Sequence, residues 1–184
     1  MGIIWIFGAV AWGIAEATFF FFVPDILLTL AVFRLDLRQA LMLAVIAAVS
    51  ASLAGIAMWT WGHCDIAFAR HAMLFIPGIG PDLLARAARE LQTDWPLHLV
   101  TGAMTGVPYK LYAVEAGARG LNPWLFALMS VPARLGRFAL TIAVAAAGGL
   151  TASRIGRPHW VYPGWALVWL VVYTIYFSLR TARG

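Results

Sequence analysis

The chain has 184 residues, of which 62% are hydrophobic and only 11% are charged. Soluble domains carry about 25% charged residues, so this composition excludes a soluble globular protein and predicts one integral membrane domain over 1–184. The formal net charge is +5, but the basic residues are scattered, which favours anionic lipid headgroups over nucleic acid as partners. We expect a multi-pass protein of the cell membrane, which is the inner membrane if the source is bacterial.

The first apolar segment covers 2–33 and is interrupted by Glu16 and Asp25. It has no basic N-terminal region, so no cleaved signal peptide is expected. A charge at the centre of a spanning helix costs roughly 2.5–3.5 kcal/mol, so both carboxylates are expected to face a protein interior or a polar cavity. Pro24 predicts a helix to about residue 22, a break, and a short helix from Pro24 onwards. The two halves are predicted to form a re-entrant hairpin, and one long kinked span is the alternative.

A span and a polar stretch follow. Residues 39–62 form an apolar span whose small residues Ala51, Ser52 and Gly55 share one face, which favours close helix packing. Residues 63–96 are predicted to contain a polar loop and then an amphipathic helix, with Leu83, Leu84, Ala87 and Leu91 on its apolar side. This helix is expected to lie along the membrane surface, and a solvated helix without lipid contact is the alternative.

The second broken segment, 97–118, repeats the order of the first: an apolar arm, a proline and a charged helix start. Gly106 and Pro108 predict the break, and Pro108 at the first helical position would place Lys110 in the first turn. Free N–H groups, the positive helix end and an ammonium together favour a phosphate. The alternative is that Lys110 only neutralises Asp25 or Glu16. Glu115 is expected to pair with Arg119, four residues later.

Two further spans are predicted at 122–148 and 161–179. Arg134 and Arg137 share a face of the first of these, so they are expected either to line the cavity of Lys110 or to snorkel to an interface. A broken segment followed by a span occurs at 2–62 and again at 97–148, a pattern typical of inverted-repeat transporters. The distribution of arginines favours a cytoplasmic 63–96 loop and C-terminus by a small margin.

These patterns assign candidate roles by residue chemistry. Glu16 and Asp25 are candidates for proton coupling, because burial raises the affinity of a carboxylate for a proton. Phosphate binding is assigned to Lys110, Arg134 and Arg137, and the helix breaks to Pro24, Gly106 and Pro108. The loop residues His63, Cys64, Asp65 and His71 match no zinc spacing, so neither a metal nor a cofactor is predicted. No GxSxG, HExxH, Walker or dinucleotide motif occurs, so no enzyme activity is predicted.

At these residues the chain resembles the DedA superfamily, also called SNARE-associated or VTT-domain membrane proteins, and looks closest to its small YqaA-like members. The resemblance covers roughly 12–148. It is carried by Glu16 with FFVPD (21–25), ASLAG (51–55), MWTWG (58–62), GVPYKLYAVEAG (106–117), and Phe126 followed by Arg134, Arg137 and Phe138. The chain departs from larger members in the stretch before Pro108, which reads GAMTG and carries no arginine.

The resemblance implies two re-entrant hairpins that meet in the bilayer, with acidic residues in the first and basic residues in the second. It also implies movement of lipids between leaflets, of phospholipids or polyprenyl phosphates, with proton dependence in some members. A flippase or scramblase is therefore the first hypothesis. The alternatives are a proton-coupled carrier of a small soluble anion, and a non-transport membrane-organising or assembly protein whose buried charges only fix helix pairing.

Overall fold

The computed structural model describes residues 2–181, with side chains up to 178, and this part of the chain is all-helical. Its helices are α1 (Ile3–Ala17), α2 (Asp25–Arg34), α3 (Leu37–Cys64), α4 (Ile66–Met73), α5 (Pro81–Glu90), α6 (Trp95–Thr105), α7 (Tyr109–Ala118), α8 (Pro123–Arg154) and α9 (Val161–Thr181). Three stretches are long and apolar enough to cross a bilayer, namely Leu37–Cys64, Pro123–Arg154 and Pro158–Ser178. The predicted all-helical class is therefore confirmed, and three stretches have the length and composition expected of the predicted spans.

The first apolar segment breaks about five residues earlier than predicted. Helix α1 ends at Ala17 because the chain turns at Thr18, whose hydroxyl donates to the carbonyl oxygens of Ile14 and Ala15 at 2.9 and 3.0 Å. Residues 18–24 are non-helical, and Pro24 caps α2. The chain then runs back along α1, since the Trp12 indole N–H donates to the Phe22 carbonyl oxygen at 2.9 Å.

The second apolar segment also breaks and reverses. Helix α6 ends at Gly106, whose φ of +80° favours glycine, and Pro108 caps α7. Gly102, near the end of α6, lies against the Tyr112 ring of α7. Every residue from 109 to 117 is buried, so α7 is a central helix of the molecule.

Helix α3 is the scaffold on which the two broken segments pack. The predicted small face is confirmed, because Ala51, Ser52 and Gly55 are all buried. At the other end of α3, a Cβ on Gly62 would collide with the backbone of Val114 in α7. Two apolar cores result, one around α7 and one between α1, α2 and α3.

The polar stretch folds against the protein. Asp65 caps the short helix α4, which the sequence did not predict, by accepting from the Phe68 N–H at 3.0 Å. In α5 the apolar side chains of Leu83, Leu84 and Ala87 are buried in the core around α7. This side of α5 therefore packs on protein, and the location of the helix along the membrane surface stays a prediction.

Candidate functional site

A buried ion pair joins the first broken segment to α8. Glu16, in the last turn of α1, accepts from Arg134 Nη1 at 2.7 Å, and the two residues are 6% and 4% exposed. The guanidinium of Arg134 also lies over the Tyr109 ring, 4.0 Å from its centroid. Arg134 is thus placed by a carboxylate from α1 and an aromatic face from α7.

A second ion pair lies next to it on α8. Asp25, the first residue of α2, accepts from Arg137 Nη2 and from the Thr141 hydroxyl, both at 2.8 Å. Arg134 and Arg137 stand one turn apart, so α8 presents two cations to two carboxylates that flank the 18–24 break. Ala133 belongs to the core around α7 and Phe138 to the other core, so the site lies between them.

Lys110 is buried, at 2% exposed, but its partner is not a carboxylate. Its ammonium donates to the Phe20 carbonyl oxygen at 2.6 Å. Phe20 lies in the non-helical 18–24 segment, so its carbonyl group is not committed to a helical hydrogen bond. The predicted neutralisation of Asp25 or Glu16 by Lys110 is therefore wrong as a direct contact, because those carboxylates bind the arginines.

These residues surround one cavity of about 180 Å³. Four charged side chains line it: Glu16, Lys110, Arg134 and Arg137. The rest of the lining is largely apolar and aromatic and includes both break positions Gly106 and Pro108. One water needs only roughly 10–15 Å³ of such space, so the cavity accommodates a hydrated ion or a headgroup. Arg134 and Arg137 line the cavity, as one of the two sequence hypotheses for them required.

The two arginines that line the cavity keep buried hydrogen-bond donors without acceptors. Nε and Nη2 of Arg134 and Nε of Arg137 are buried and have no hydrogen-bond partner among the described residues. Buried polar groups without partners cost about 1–3 kcal/mol each, and more when they are charged. The site is thus short of acceptor atoms, which a phosphate or another oxyanion would supply.

Comparison with known proteins does not identify the chain. No family model, no curated protein and no solved structure matches it. The resemblance to the DedA superfamily therefore remains an expectation that rests on the residues of this sequence.

One wall of the cavity comes from α9. Trp169, Val172, Tyr173 and Tyr176 line it, while none of the apolar window of this span is buried within the protein. The Tyr173 hydroxyl accepts from the Val23 N–H at 2.9 Å, and the Trp165 and Trp169 indoles donate to Thr29 Oγ1 at 2.9 and 3.1 Å. Helix α9 thus lies between the charged cavity and the outer surface of the described structure.

Glu115 lies apart from this cavity. It is 1% exposed and accepts two hydrogen bonds from Arg70 of α4, from Nε at 2.6 Å and from Nη2 at 2.8 Å. The predicted pair with Arg119 is wrong, because Arg119 donates to the Ala88 carbonyl oxygen at 2.7 Å. Glu115 therefore fastens α4 to α7 and takes no part in the cavity.

Several site groups were missed by the sequence reasoning. Thr141 binds the same carboxylate as Arg137, and its position one turn further along α8 was the available signal. Tyr109 precedes Lys110 directly, but its stacking on Arg134 depends on tertiary packing. The role of the Phe20 carbonyl group could not be read from the sequence, because every residue in a broken helix has a carbonyl group that could accept the same bond.

Proposed function

We propose that the protein moves phosphate-bearing anionic lipids between the leaflets of a membrane, as a transporter of the DedA type. The observation that carries this proposal is the grouping of Lys110, Arg134 and Arg137 with Glu16 around one cavity. Intramembrane ionisable residues are expensive and mark substrate or ion pathways. Glu16 and Lys110 lie beside the two helix breaks, and Arg134 and Arg137 lie on the long helix α8.

Helix lengths support the re-entrant geometry of this proposal. The four arms of the broken segments, α1, α2, α6 and α7, have 15, 10, 11 and 10 residues. A spanning helix needs about 20 apolar residues, so each arm alone is too short to cross. Both segments reverse at their breaks, and Lys110 links the second segment to the break of the first. Two hairpins that enter from opposite sides and meet inside the bilayer would have this construction.

The lining of the cavity favours a lipid over a fully soluble solute. A headgroup fits about 180 Å³, whereas two acyl chains do not. Helix α9 is the thin partition between the cavity and the bilayer, so a headgroup could pass beside it while the tails remain in lipid. This arrangement limits the charge that must cross hydrocarbon, which is the main barrier to lipid movement.

The ion pairs indicate where a proton would act. Glu16 and Asp25 each hold an arginine, so protonation of either carboxylate would release Arg134 or Arg137 rather than Lys110. The released guanidinium could then hold an incoming phosphate bidentately. Deprotonation would restore the ion pair and loosen the hold on the headgroup. Lys110, which binds a carbonyl oxygen and not a carboxylate, remains a fixed cation in this scheme.

Reconstituted vesicles test the proposal. Transfer of a fluorescent phosphatidylglycerol between leaflets should be accelerated by the wild-type chain, and Lys110→Ala and Glu16→Ala should each return it to the rate of empty vesicles. Arg89→Ala, an exposed arginine of α5, is the matched control and should transfer normally. Lipid transfer at the wild-type rate in both site variants would contradict the proposal. Uptake of free phosphate into tight vesicles under a pH gradient, without lipid transfer, would favour the soluble-anion carrier instead.

A structural role is the second candidate, and the direct pairing of both carboxylates with arginines favours it. Buried ion pairs can fix which helices associate. Because Asp25 pairs with Arg137, the discriminating variant exchanges these two charges, as Asp25→Arg with Arg137→Asp. An assembly protein would keep its function in the exchanged variant, whereas a transporter would lose lipid transfer.

A further inference from the structure

The charges of the cavity and its ion pairs do not balance. Among the described residues, the cations are Lys110, Arg134 and Arg137, and the carboxylates are Glu16 and Asp25. Each carboxylate is matched to one arginine, and Lys110 is left with a neutral carbonyl partner. The site therefore carries one more positive than negative charge. Helices α6 and α9 and the 76–79 stretch contribute only uncharged groups to the cavity lining.

A buried surplus cation favours an anion that restores neutrality. An uncompensated buried charge costs several kcal/mol, and a bound ion of one negative charge removes that cost. A ligand with two negative charges would leave the site with an uncompensated negative charge, which carries a similar free-energy cost. Charge number therefore discriminates among phosphates that offer similar oxygen atoms.

The unpartnered donors point to the same ligand independently. Arg134 Nε and Nη2 and Arg137 Nε are buried N–H groups without acceptors among the described residues, and both side chains line the cavity. The two non-bridging oxygens of a phosphodiester can accept from a guanidinium edge. Lys110 has two further N–H groups beyond the one that Phe20 receives.

We propose that this site selects a phosphate with a single negative charge, as in a phosphodiester headgroup, over a phosphomonoester. This inference rests on the proposed function and defines its substrate class by charge. A phosphomonoester carries about −1.5 to −2 at pH 7, so it would leave the site with an uncompensated negative charge. The diester leaves the site neutral.

Equilibrium binding to the purified full chain in a neutral detergent tests the charge preference. Dihexanoyl phosphatidylglycerol is the diester, and dihexanoyl phosphatidic acid is the monoester with identical tails. At pH 7 the diester should bind about tenfold more tightly. Equal affinities, or tighter binding of the monoester, would overturn the inference. Glycerophosphoglycerol, which has the same diester without tails, separates a lipid from a soluble source: it should bind far more weakly than the lipid, and equal binding would contradict a lipid substrate.

Charge variants make the test independent of headgroup shape. Glu16→Gln and Asp25→Asn each raise the surplus to two positive charges, so each should move the preference towards the monoester. Lys110→Gln removes the surplus and should weaken diester binding about tenfold or more, whereas Arg89→Gln should change neither affinity. An unchanged ratio of affinities in both carboxylate variants would contradict the inference even if one of them folds poorly.

The outcomes separate this inference from the proposed function. Leaflet transfer without a charge preference in binding would reject the preference and leave the transport proposal standing. A diester preference without leaflet transfer would reject transport and leave a charge-selective lipid site.

Discussion

Lys110 Nζ lies 2.6 Å from the carbonyl oxygen of Phe20, so the first turn of α7 is joined to the non-helical segment between α1 and α2. These residues are 90 positions apart in the chain. The contact connects the two broken segments at their breaks, where backbone groups are free to bind. It also fixes a cation beside the cavity without using a carboxylate.

The first prediction concerns the side of the membrane on which the two ends of the first broken segment lie. If it enters and leaves on one side, Gly2→Cys and Arg38→Cys, each in a Cys64→Ser background, should react with an impermeant maleimide from the same side of the membrane. Cys64 is exposed and lies at the opposite end of the spanning helix α3, so in the wild-type chain it should react from the other side. Labelling of Gly2→Cys and Arg38→Cys from opposite sides would instead mean one kinked span.

Energetic coupling between Glu16 and Arg134 is the second prediction. Either Glu16→Gln or Arg134→Gln leaves a buried charge without its partner. Each substitution should therefore lower the free energy of unfolding by about 3–5 kcal/mol. The double variant should lose clearly less than the sum of the single losses, as measured by denaturant unfolding in detergent micelles. Additive losses would show that the two side chains do not stabilise each other.

The existence of both breaks could be predicted from sequence, whereas the pairing of the charges could not. Pro24, Gly106 and Pro108 act on their own backbone, so their effect is local and visible in the sequence. Two carboxylates and three cations allow several pairings, and only helix rotation and depth decide among them.

The end of α1 shows a similar limit. The turn at Thr18 is followed by aromatic residues 20–22, which pack on one another and on Tyr173 of α9, and such tertiary contacts leave no local signal in the sequence. Helical spacing suggested Arg119 as the partner of Glu115, but Glu115 faces the interior near α4, a helix without a sequence signal.

The Arg70–Glu115 pair provides the third prediction. Arg70→Gln should destabilise the fold by about 1–3 kcal/mol, because it leaves a buried carboxylate unpaired while the half-exposed arginine itself is partly screened by solvent. Arg119→Gln is the matched control. It should reduce the free energy of unfolding by less, since it removes only a hydrogen bond to the Ala88 carbonyl oxygen of α5. Thermal unfolding in detergent measures both. A larger loss for Arg119→Gln would favour the helical pair that the spacing suggested.

The close approach of α3 and α7 provides the fourth prediction. Gly62→Ala adds a single methyl group that would collide with the Val114 backbone, which cannot move aside as a flexible side chain can. We expect a loss of about 1–3 kcal/mol, typical of an overpacked core, and a lower thermal midpoint. Gly148→Ala on α8 adds the same group where no atom lies within 4 Å, so it should be neutral or slightly stabilising. Equal effects of the two substitutions would contradict the tight helix contact.

Acid sensitivity of the 63–96 region is the fifth prediction. Burial alone would raise the pKa of Glu90, but hydrogen bonds from Tyr112 and Arg86 outweigh it and hold the pKa below its ordinary value. A lowered pKa in the folded state stabilises the fold above the pKa of the unfolded state, about 4.3, and this stabilisation is lost as the pH falls through the folded pKa. At pH 7, Glu90→Gln should therefore lower the thermal midpoint by about 2–4 °C, and the difference from wild type should shrink at lower pH. A difference that stays constant down to about pH 3, below the ordinary range of a glutamate pKa, would assign the effect of Glu90 to packing rather than to its charge.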